Sequence, residues 1–191
     1  RGSAGMSIGE TLIQPPFGDL GWNHEMRWWE RNGFALPLFS GATVELYIPP
    51  AIAAPEPVPV PDLLIAAGEA MLALTPDALC EITPHVRANY RTFAGANVHG
   101  EADFSGDEIW DHVRPYTLTI QQHAGAAWLV FECDCAWNRE DGLQLVLLEG
   151  RRWARVSSYD GCLTDGEAAS DPSLDAWLND PGARLPEPAA G

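Results

Sequence analysis

Residues 128–161 read WLVFECDCAWNREDGLQLVLLEGRRWARVSSYDG, and they predict three consecutive antiparallel strands. In the first strand, apolar and polar residues alternate at period two, which is typical of a strand with one buried face. The predicted buried stripe is Leu129, Phe131, Cys133, Cys135 and Trp137, and the opposite face carries Trp128, Val130, Glu132 and Asp134. This stretch predicts that an antiparallel sheet is the centre of the fold.

Two turns separate these strands. Residues 138–142, Asn-Arg-Glu-Asp-Gly, have the composition of a hairpin loop, because the glycine tolerates a positive φ. Glu149-Gly150 predicts the next tight turn. The second strand is expected to bury Leu143, Leu145 and Leu147, and the third to place Trp153, Arg155 and Ser157 on one shared face.

Residues 17–49 predict two or three further strands. A turn near residues 23–24 would pair the first two, and residues 40–49 alternate as a half-buried strand does. Trp28 and Trp29 are adjacent, so in a strand they point to opposite faces. One is expected in the core and the other at the rim or in an interface.

Residues 49–61, PPAIAAPEPVPVP, contain six prolines and predict an extended polyproline connector. Such a segment serves either as a spacer between sheet and helices or as a ligand for a proline-binding module. Helical spacing then predicts helices over residues 62–74, 76–82 and 84–93.

A capping box from Ser105 to Glu108 starts one more short helix, and residues 116–122 form another strand. The order of strands, then helices, then strands predicts an α+β fold, with an antiparallel β-sheet packed against several short helices. Residues 1–5 are expected to be an expression-tag remnant, residues 6–169 a single domain, and residues 170–191 an acidic, partly disordered tail.

The chain carries a formal net charge of -16, with 27 acidic residues against 11 basic ones, all arginine. This balance argues against binding nucleic acid or an anionic membrane, because each phosphate contact needs a cation. It fits either a solvated acidic surface or a basic protein partner. A transmembrane run of about 18 apolar residues is absent, as is a signal-peptide pattern, so the expected compartment is the cytoplasm.

Two groups of residues in the sequence could form a chemical site. Cys133, Cys135 and Cys162 with His112 or His123 could bind zinc, but their spacing fits buried thiols better, and neither a metal ion nor a cofactor is predicted. Glu132 and Asp134 share a strand face about 7 Å apart, as in two-carboxylate hydrolases. Cross-strand pairing with Arg152 or Arg155 is the simpler interpretation.

The sequence lacks G-x-S-x-G, H-E-x-x-H and glycine-rich phosphate-binding motifs, so no catalytic residue is predicted. The face opposite the buried stripe offers a binding surface instead, since Trp128 lies there with two carboxylates. Exposed tryptophan beside carboxylates suits a partner rich in arginine or lysine. The predicted partner-binding residues are Trp128, Glu132, Asp134, Glu140 and Asp141.

The segment WNREDGL at residues 137–143, with the strands that follow it, resembles a group of uncharacterised bacterial domains. These pair a W-D-x-E-H-G-L hairpin with an x-G-x-x-D-G ending and begin with an F-G-x-L-x-W strand. The matching positions are Trp137, Glu140, Gly142, Leu143, Asp160 and Gly161, whereas Asn138, Asp141 and Ser157 depart from the pattern. In size, acidity and architecture the chain is also similar to small immunity proteins that neutralise secreted bacterial toxins.

These observations predict a non-catalytic protein-binding module, in its most specific form a cytoplasmic immunity protein that neutralises a basic toxin. Two alternatives stay open: a small hydrolase or metal-dependent enzyme that uses Glu132 and Asp134, and a structural or regulatory domain that self-associates through exposed tryptophans.

Overall fold

A computed structural model describes residues 10–94, 107–178 and 180–184. Eight strands form the main sheet, and two more form a small ribbon: β1 Thr11–Gln14, β2 Gly18–Asn23, β3 Trp28–Leu36, β4 Ala42–Ile48, β5 Val113–His123, β6 Ala126–Cys135, β7 Asn138–Leu148, β8 Arg152–Ser157, β9 Ala176–Trp177 and β10 Asp180–Arg184. The α-helices are α1 Asp62–Leu72, α2 Asp77–Cys80, α3 Thr83–Ala94 and α4 Asp165–Ala169. The fold is α+β with a mostly antiparallel sheet, as the sequence predicts.

The strands of the main sheet lie side by side in chain order, from β1 to β8. All neighbours are antiparallel except β4 and β5, which are parallel, so the prediction of an antiparallel sheet is wrong at this pair. Helices α1 to α3 lie between these two strands in the sequence, and this helical crossover returns the chain in the same direction. In the parallel pair, Glu45 lies opposite Thr117 and Tyr47 opposite Thr119.

The hairpin between β6 and β7 differs from the prediction. Its turn lies at residues 136–137, because Cys135 pairs with Asn138, and the next paired residues are Cys133 and Leu143. Residues 139–142 therefore bulge out of β7 instead of closing the hairpin. Gly142 permits the bulge: its φ is +69°, and a Cβ there would lie 2.6 Å from the Cys133 carbonyl oxygen.

A second bulge corrects the predicted face of β8. Leu147 pairs with Trp153 and Val146 with Arg155, so one extra residue, Ala154, separates them. Trp153 consequently points to the helices, whereas Arg155 points to the opposite face. The bulge changes which side chains face outward, and periodicity alone does not reveal it.

The inner face of the sheet packs against the helices. The fully buried side chains of this core include Phe17, Leu20, Leu46, Leu64, Met71, Ile82, Leu118 and Phe131. Trp29 lies in the same core and Trp28 at the rim, as predicted. The connector, residues 49–61, contains no helix or strand. Trp29 Nε1 donates a hydrogen bond to the Val58 carbonyl at 2.7 Å and holds the connector to the core.

The outer face of the sheet carries a second, smaller core at its β6–β8 end. Its buried members are Trp128, Val130, Val146, Leu148, Ala154, Leu163 and Trp177. Leu163 and Trp177 come from the segment after β8, which folds back over the sheet. Part of the predicted tail is thus ordered cover, beginning with a 3₁₀ turn at Pro172–Leu174 and continuing into β9 and β10.

Several predictions concern residues that the structure does not describe. These are the tag remnant at residues 1–5, the capping residue Ser105 and the disorder expected at residues 185–191. The helix expected after Ser105 is a 3₁₀ helix over the described residues Asp107–His112.

Gly150, in the turn between β7 and β8, and Gly33, in β3, provide a matched pair of glycine variants. Gly150 and Gly33 both have a φ of +68°, but a Cβ at Gly150 would lie 2.0 Å from the Ala67 carbonyl oxygen of α1, whereas at Gly33 nothing lies within 4 Å. We expect Gly33→Ala to lower the free energy of unfolding by about 1–2 kcal/mol. Gly150→Ala should cost about 1–3 kcal/mol more. Urea denaturation measures both; equal losses would contradict the predicted contact with α1.

Trp177 tests whether the segment after β8 stabilises the domain. Trp177→Ala removes a buried ring from the outer core and should lower the free energy of unfolding by about 3 kcal/mol. Leu174→Ala, in the same segment but at a side chain that is 49% exposed, should change it by less than about 0.5 kcal/mol. If the two variants unfold alike, the segment does not stabilise the sheet.

Candidate functional site

The outer face of the sheet divides into a covered half and an open half. The covered half is the small core beneath Leu163 and Trp177. The open half lies on β3 to β6, where carboxylates and aromatic rings remain partly or largely exposed. We call it the open face and define it as Trp28, Glu30, Glu45, Tyr47, Tyr116 and Glu132.

Glu30 is held in place at one end of the open face. Its Oε2 accepts hydrogen bonds from Asn23 Nδ2 at 2.9 Å and from Trp28 Nε1 at 3.1 Å. The Trp28 ring in turn stacks on Tyr47, with ring centroids 4.7 Å apart and an interplanar angle of 33°. The N–H edge of the Trp28 indole thus orients the Glu30 carboxylate, and the face of the same indole packs on Tyr47.

Tyr47 and Glu45 form the second unit of the open face. The Tyr47 hydroxyl donates a hydrogen bond to Glu45 Oε2. This bond, burial of the hydroxyl, and the charges of Glu45, Glu30 and Glu132 raise the pKa of Tyr47 to about 12. The phenol therefore stays protonated as a donor, and three carboxylates act on the same ring.

Tyr116 and Glu132 form the third unit. The Tyr116 hydroxyl donates a hydrogen bond to Glu132 Oε2 at 3.2 Å, and the residue is 42% exposed. Burial of the hydroxyl, the charge of Glu132 and this hydrogen bond raise the pKa of Tyr116 to about 12. Partial burial also raises the pKa of Glu132, although the bond from Tyr116 acts in the opposite direction. In the residues that the structure describes, Glu30, Glu45 and Glu132 make no ion pair.

Arg155 does not pair with Glu132 or Asp134, contrary to one sequence interpretation. It is buried and binds Asp160 through two hydrogen bonds of 2.6 and 2.7 Å, Asp165 at 2.8 Å and the Cys162 carbonyl at 2.9 Å. The bonds from Arg155 lower the pKa of Asp160. Arg152, the other candidate, stacks over the Trp177 ring, with its guanidinium carbon 3.7 Å from the ring centroid.

Asp134, Glu140 and Asp141 line a depression of about 390 Å³ at one end of β5–β7. The bulge in β7 brings the last two there, and Asn138 secures the bulge by accepting a hydrogen bond from the Asp141 backbone and donating one to the Gly142 carbonyl. The depression is mixed in charge, since Arg114, Arg139, Asp111 and His112 also line it. Tyr116 contributes to both the depression and the open face.

The structure brings together four of the five predicted binding residues. Asp134, Glu140 and Asp141 share the depression, and Glu132 is linked to it through Tyr116. The expectation that Trp128 is an exposed anchor is wrong, because its side chain is 5% exposed. Its neighbours on the outer face are apolar and covered, and its Nε1 donates to the His123 carbonyl at 3.1 Å.

Sequence reasoning missed the other members of the open face: Trp28, Glu30, Glu45, Tyr47 and Tyr116. The signal lay in β4, where Glu45 and Tyr47 alternate with buried residues and must point outward together. What the sequence did not reveal is that β5 lies between β4 and β6, which places Glu45 and Glu132 on the same face of the sheet, on the two strands that flank β5.

The structure bears on the hypothesis of metal binding but does not test the hypothesis of hydrolysis. Among the residues that the structure describes, no group of three or more His, Cys, Asp or Glu side chains could hold a metal ion, so the zinc hypothesis has no geometric support. Cys133 and Cys135 are buried in the inner core, where burial raises the pKa of both thiols. A hydrolase that uses Glu132 and Asp134 stays a prediction.

The tyrosines of the open face provide a test of its electrostatics. Glu45→Gln removes a charge and weakens the acceptor of the Tyr47 hydroxyl, so the pKa of Tyr47 should fall from about 12 toward its ordinary value of 10.0. Glu132→Gln should lower the pKa of Tyr116 by less, because burial is the largest cause there. Carbon NMR of the tyrosine rings during a pH titration measures both.

Glu56→Gln, which changes an exposed connector residue, should leave both pKa values unchanged. Because the folded chain holds these two phenolic protons more tightly than the unfolded chain, stability should fall as the pH rises from about 10 to about 12. An unaltered Tyr47 titration in Glu45→Gln would contradict the predicted arrangement.

Comparisons with known proteins give one match. A family model described as Domain of unknown function (DUF6985) matches residues 16–163, well over half of the chain. No curated protein matches the chain. No solved structure matches it either. None of the helices in the described ranges is long and apolar enough to cross a membrane.

Proposed function

The chain belongs to this family of domains of unknown function, and from its own geometry we propose that it is a protein-binding module whose open face holds a cationic partner. The observation that carries the proposal is the set of three carboxylates, Glu30, Glu45 and Glu132, each oriented by an aromatic donor and none ion-paired in the described residues. Such groups gain most from a cation supplied by another molecule.

The overall charge supports the same class of partner. At a net charge of -16, the chain attracts basic proteins and repels phosphate-rich molecules. Oppositely charged surfaces also accelerate association, an effect that salt screens over about 10 Å at 0.1 M ionic strength.

The aromatic members of the open face support binding in a second way. Trp28, Tyr47 and Tyr116 expose apolar ring surface between the carboxylates, and each is fixed by a stacking contact or a hydrogen bond. Rigid aromatic side chains lose little conformational entropy on binding and supply much of the energy of many interfaces. The carboxylates would provide selectivity and the rings contact area.

In its most specific form, the proposal is a cytoplasmic immunity protein that covers the basic active site of a toxin. The open face would then block a cationic substrate-binding surface without catalysis. Co-expression with a candidate basic toxin, scored by survival of the host cells, tests this form separately from binding itself. Survival that also occurs when the open face is neutralised would contradict it.

The test of the general proposal is affinity capture with matched variants of the domain. Wild type, the triple variant Glu30→Gln, Glu45→Gln, Glu132→Gln and a control triple are immobilised and exposed at low salt to extract from the organism that encodes the chain. The control is Glu10→Gln, Glu56→Gln, Glu69→Gln, which removes the same charge from exposed positions outside the open face.

We expect wild type and the control triple to retain one basic protein in about equal molar amount, and the open-face triple to lose it. Three charge pairs of about 0.2–1 kcal/mol each correspond to a loss of affinity of about tenfold. Elution at high salt should release the partner. Retention that is identical in the two triples would show that the open face is not the binding surface.

A further inference from the structure

Resting on the proposed function, we infer that the open face contains a seat for an arginine side chain of the partner, between Glu45 and Glu132 above Thr117. The seat selects guanidinium over ammonium. Its floor is β5, its two carboxylates belong to β4 and β6, and the rings of Tyr47 and Tyr116 form its sides.

The register of the sheet places these residues in one row. Glu45 lies opposite Thr117 on β5, and Thr117 lies opposite Glu132 on β6. With a spacing of about 4.8 Å between strands, the backbones that carry the two glutamates are about 10 Å apart. Thr117 is uncharged and 6% exposed, so the floor between the two carboxylates is a small buried side chain that offers neither of them a cation.

Each glutamate is oriented in the same way. Its Oε2 accepts a hydrogen bond from a tyrosine hydroxyl, and its Oε1 has no hydrogen bond within the described part of the chain. The two carboxylates also act on a common region, because the charges of both Glu45 and Glu132 contribute to the raised pKa of Tyr47. Two pre-oriented acceptors on opposite sides suit a planar group that donates from two edges.

On the covered half of the same face, two arginines of the chain already make the two kinds of contact proposed for the seat, one with carboxylates and one with an aromatic ring. There the Arg155 guanidinium is bound by two carboxylates, Asp160 and Asp165, and Arg152 stacks on the Trp177 ring. The register puts these arginines on the same side of the sheet as Glu132, because Val130, Val146 and Arg155 form the neighbouring row. Among the described residues, the carboxylates of the open half make no ion pair with an arginine.

Charge identifies the occupant as another molecule with its own arginine. A second copy of this chain would carry a further net charge of -16 to the site. The segments that the structure does not describe contain one arginine, Arg1, against Glu101, Asp103 and Glu187. Lysine fits the seat less well, because an ammonium group cannot bond two carboxylates in one plane or stack on a ring as guanidinium does.

The experiment compares two peptides of equal length and charge, one of glycine and arginine and one of glycine and lysine. Isothermal titration calorimetry gives their Kd for wild type, for Glu45→Gln with Glu132→Gln, and for the control Glu56→Gln with Glu69→Gln. We expect wild type and control to bind the arginine peptide about fivefold to tenfold more tightly than the lysine peptide. In the Glu45/Glu132 double variant this preference should disappear.

The outcomes separate this inference from the proposed function. If wild type binds neither peptide, both the proposed function and the arginine seat are contradicted. If it binds the two peptides equally, and the double variant weakens both alike, the open face binds cations but the arginine seat is overturned. A preference that survives in the double variant would also overturn the seat.

Tyr116→Phe keeps the ring and removes only the hydroxyl that orients Glu132, so it replaces the double variant if that protein does not fold. It should reduce the preference for arginine about twofold to threefold while leaving the affinity for the lysine peptide nearly unchanged. Equal weakening of both peptides would contradict the role given to the oriented carboxylate.

Discussion

The outer face depends on the ion pairs and hydrogen bonds of the buried Arg155 guanidinium. A buried cation is tolerated only when it is paired and its donors are satisfied, and here two aspartates and a backbone carbonyl meet that requirement. Asp160 and Asp165 bracket Leu163, so the same bonds fix the chain that packs Leu163 onto Val130 and Val146. The bulge at Ala154 is what turns Arg155 outward. One irregularity in β8 thus leads to an ion-pair network, then to a covered core, and finally to a boundary beyond which the face remains open.

The charges of the open half are less well compensated than those of the covered half. Glu30, Glu45 and Glu132 all raise the pKa of Tyr47, and partial burial of Glu132 disfavours its charged form. Neutral donors offset part of this cost without cancelling the charge. A cation in that position would compensate the charges, as Arg155 does for Asp160 and Asp165 on the covered half. Local departures of this kind occur where a protein trades stability for a binding or catalytic site.

The sequence was a good guide to elements and a poor guide to their neighbours. Alternation correctly predicted that β5 to β8 are strands and that the leucines of β7 are buried, because side-chain period follows directly from backbone geometry, although β5 begins at Val113, before the predicted residue 116. It failed at the two bulges, where one or more unpaired residues change the face without changing the composition. It also failed at Trp128, since a tryptophan on the polar-looking face of β6 is buried by a segment that lies some 50 residues later. The parallel contact of β4 with β5 has no local signal at all, and that contact creates the open face.

The family match contains the whole open face but only part of the cover over the second core. All six residues of the open face lie inside residues 16–163, as do Arg155 and Asp160, whereas Asp165 and Trp177 lie beyond the match. The proposed binding surface is therefore built by the part of the chain that defines the family, and the cover over the second core is completed from outside it. Completing that cover makes the face asymmetric: it removes the apolar half from solvent and leaves charge and aromatic rings as the accessible chemistry. Under the proposed function, the exposed charges and rings would attract a basic partner, whereas the like charges of two copies would repel each other.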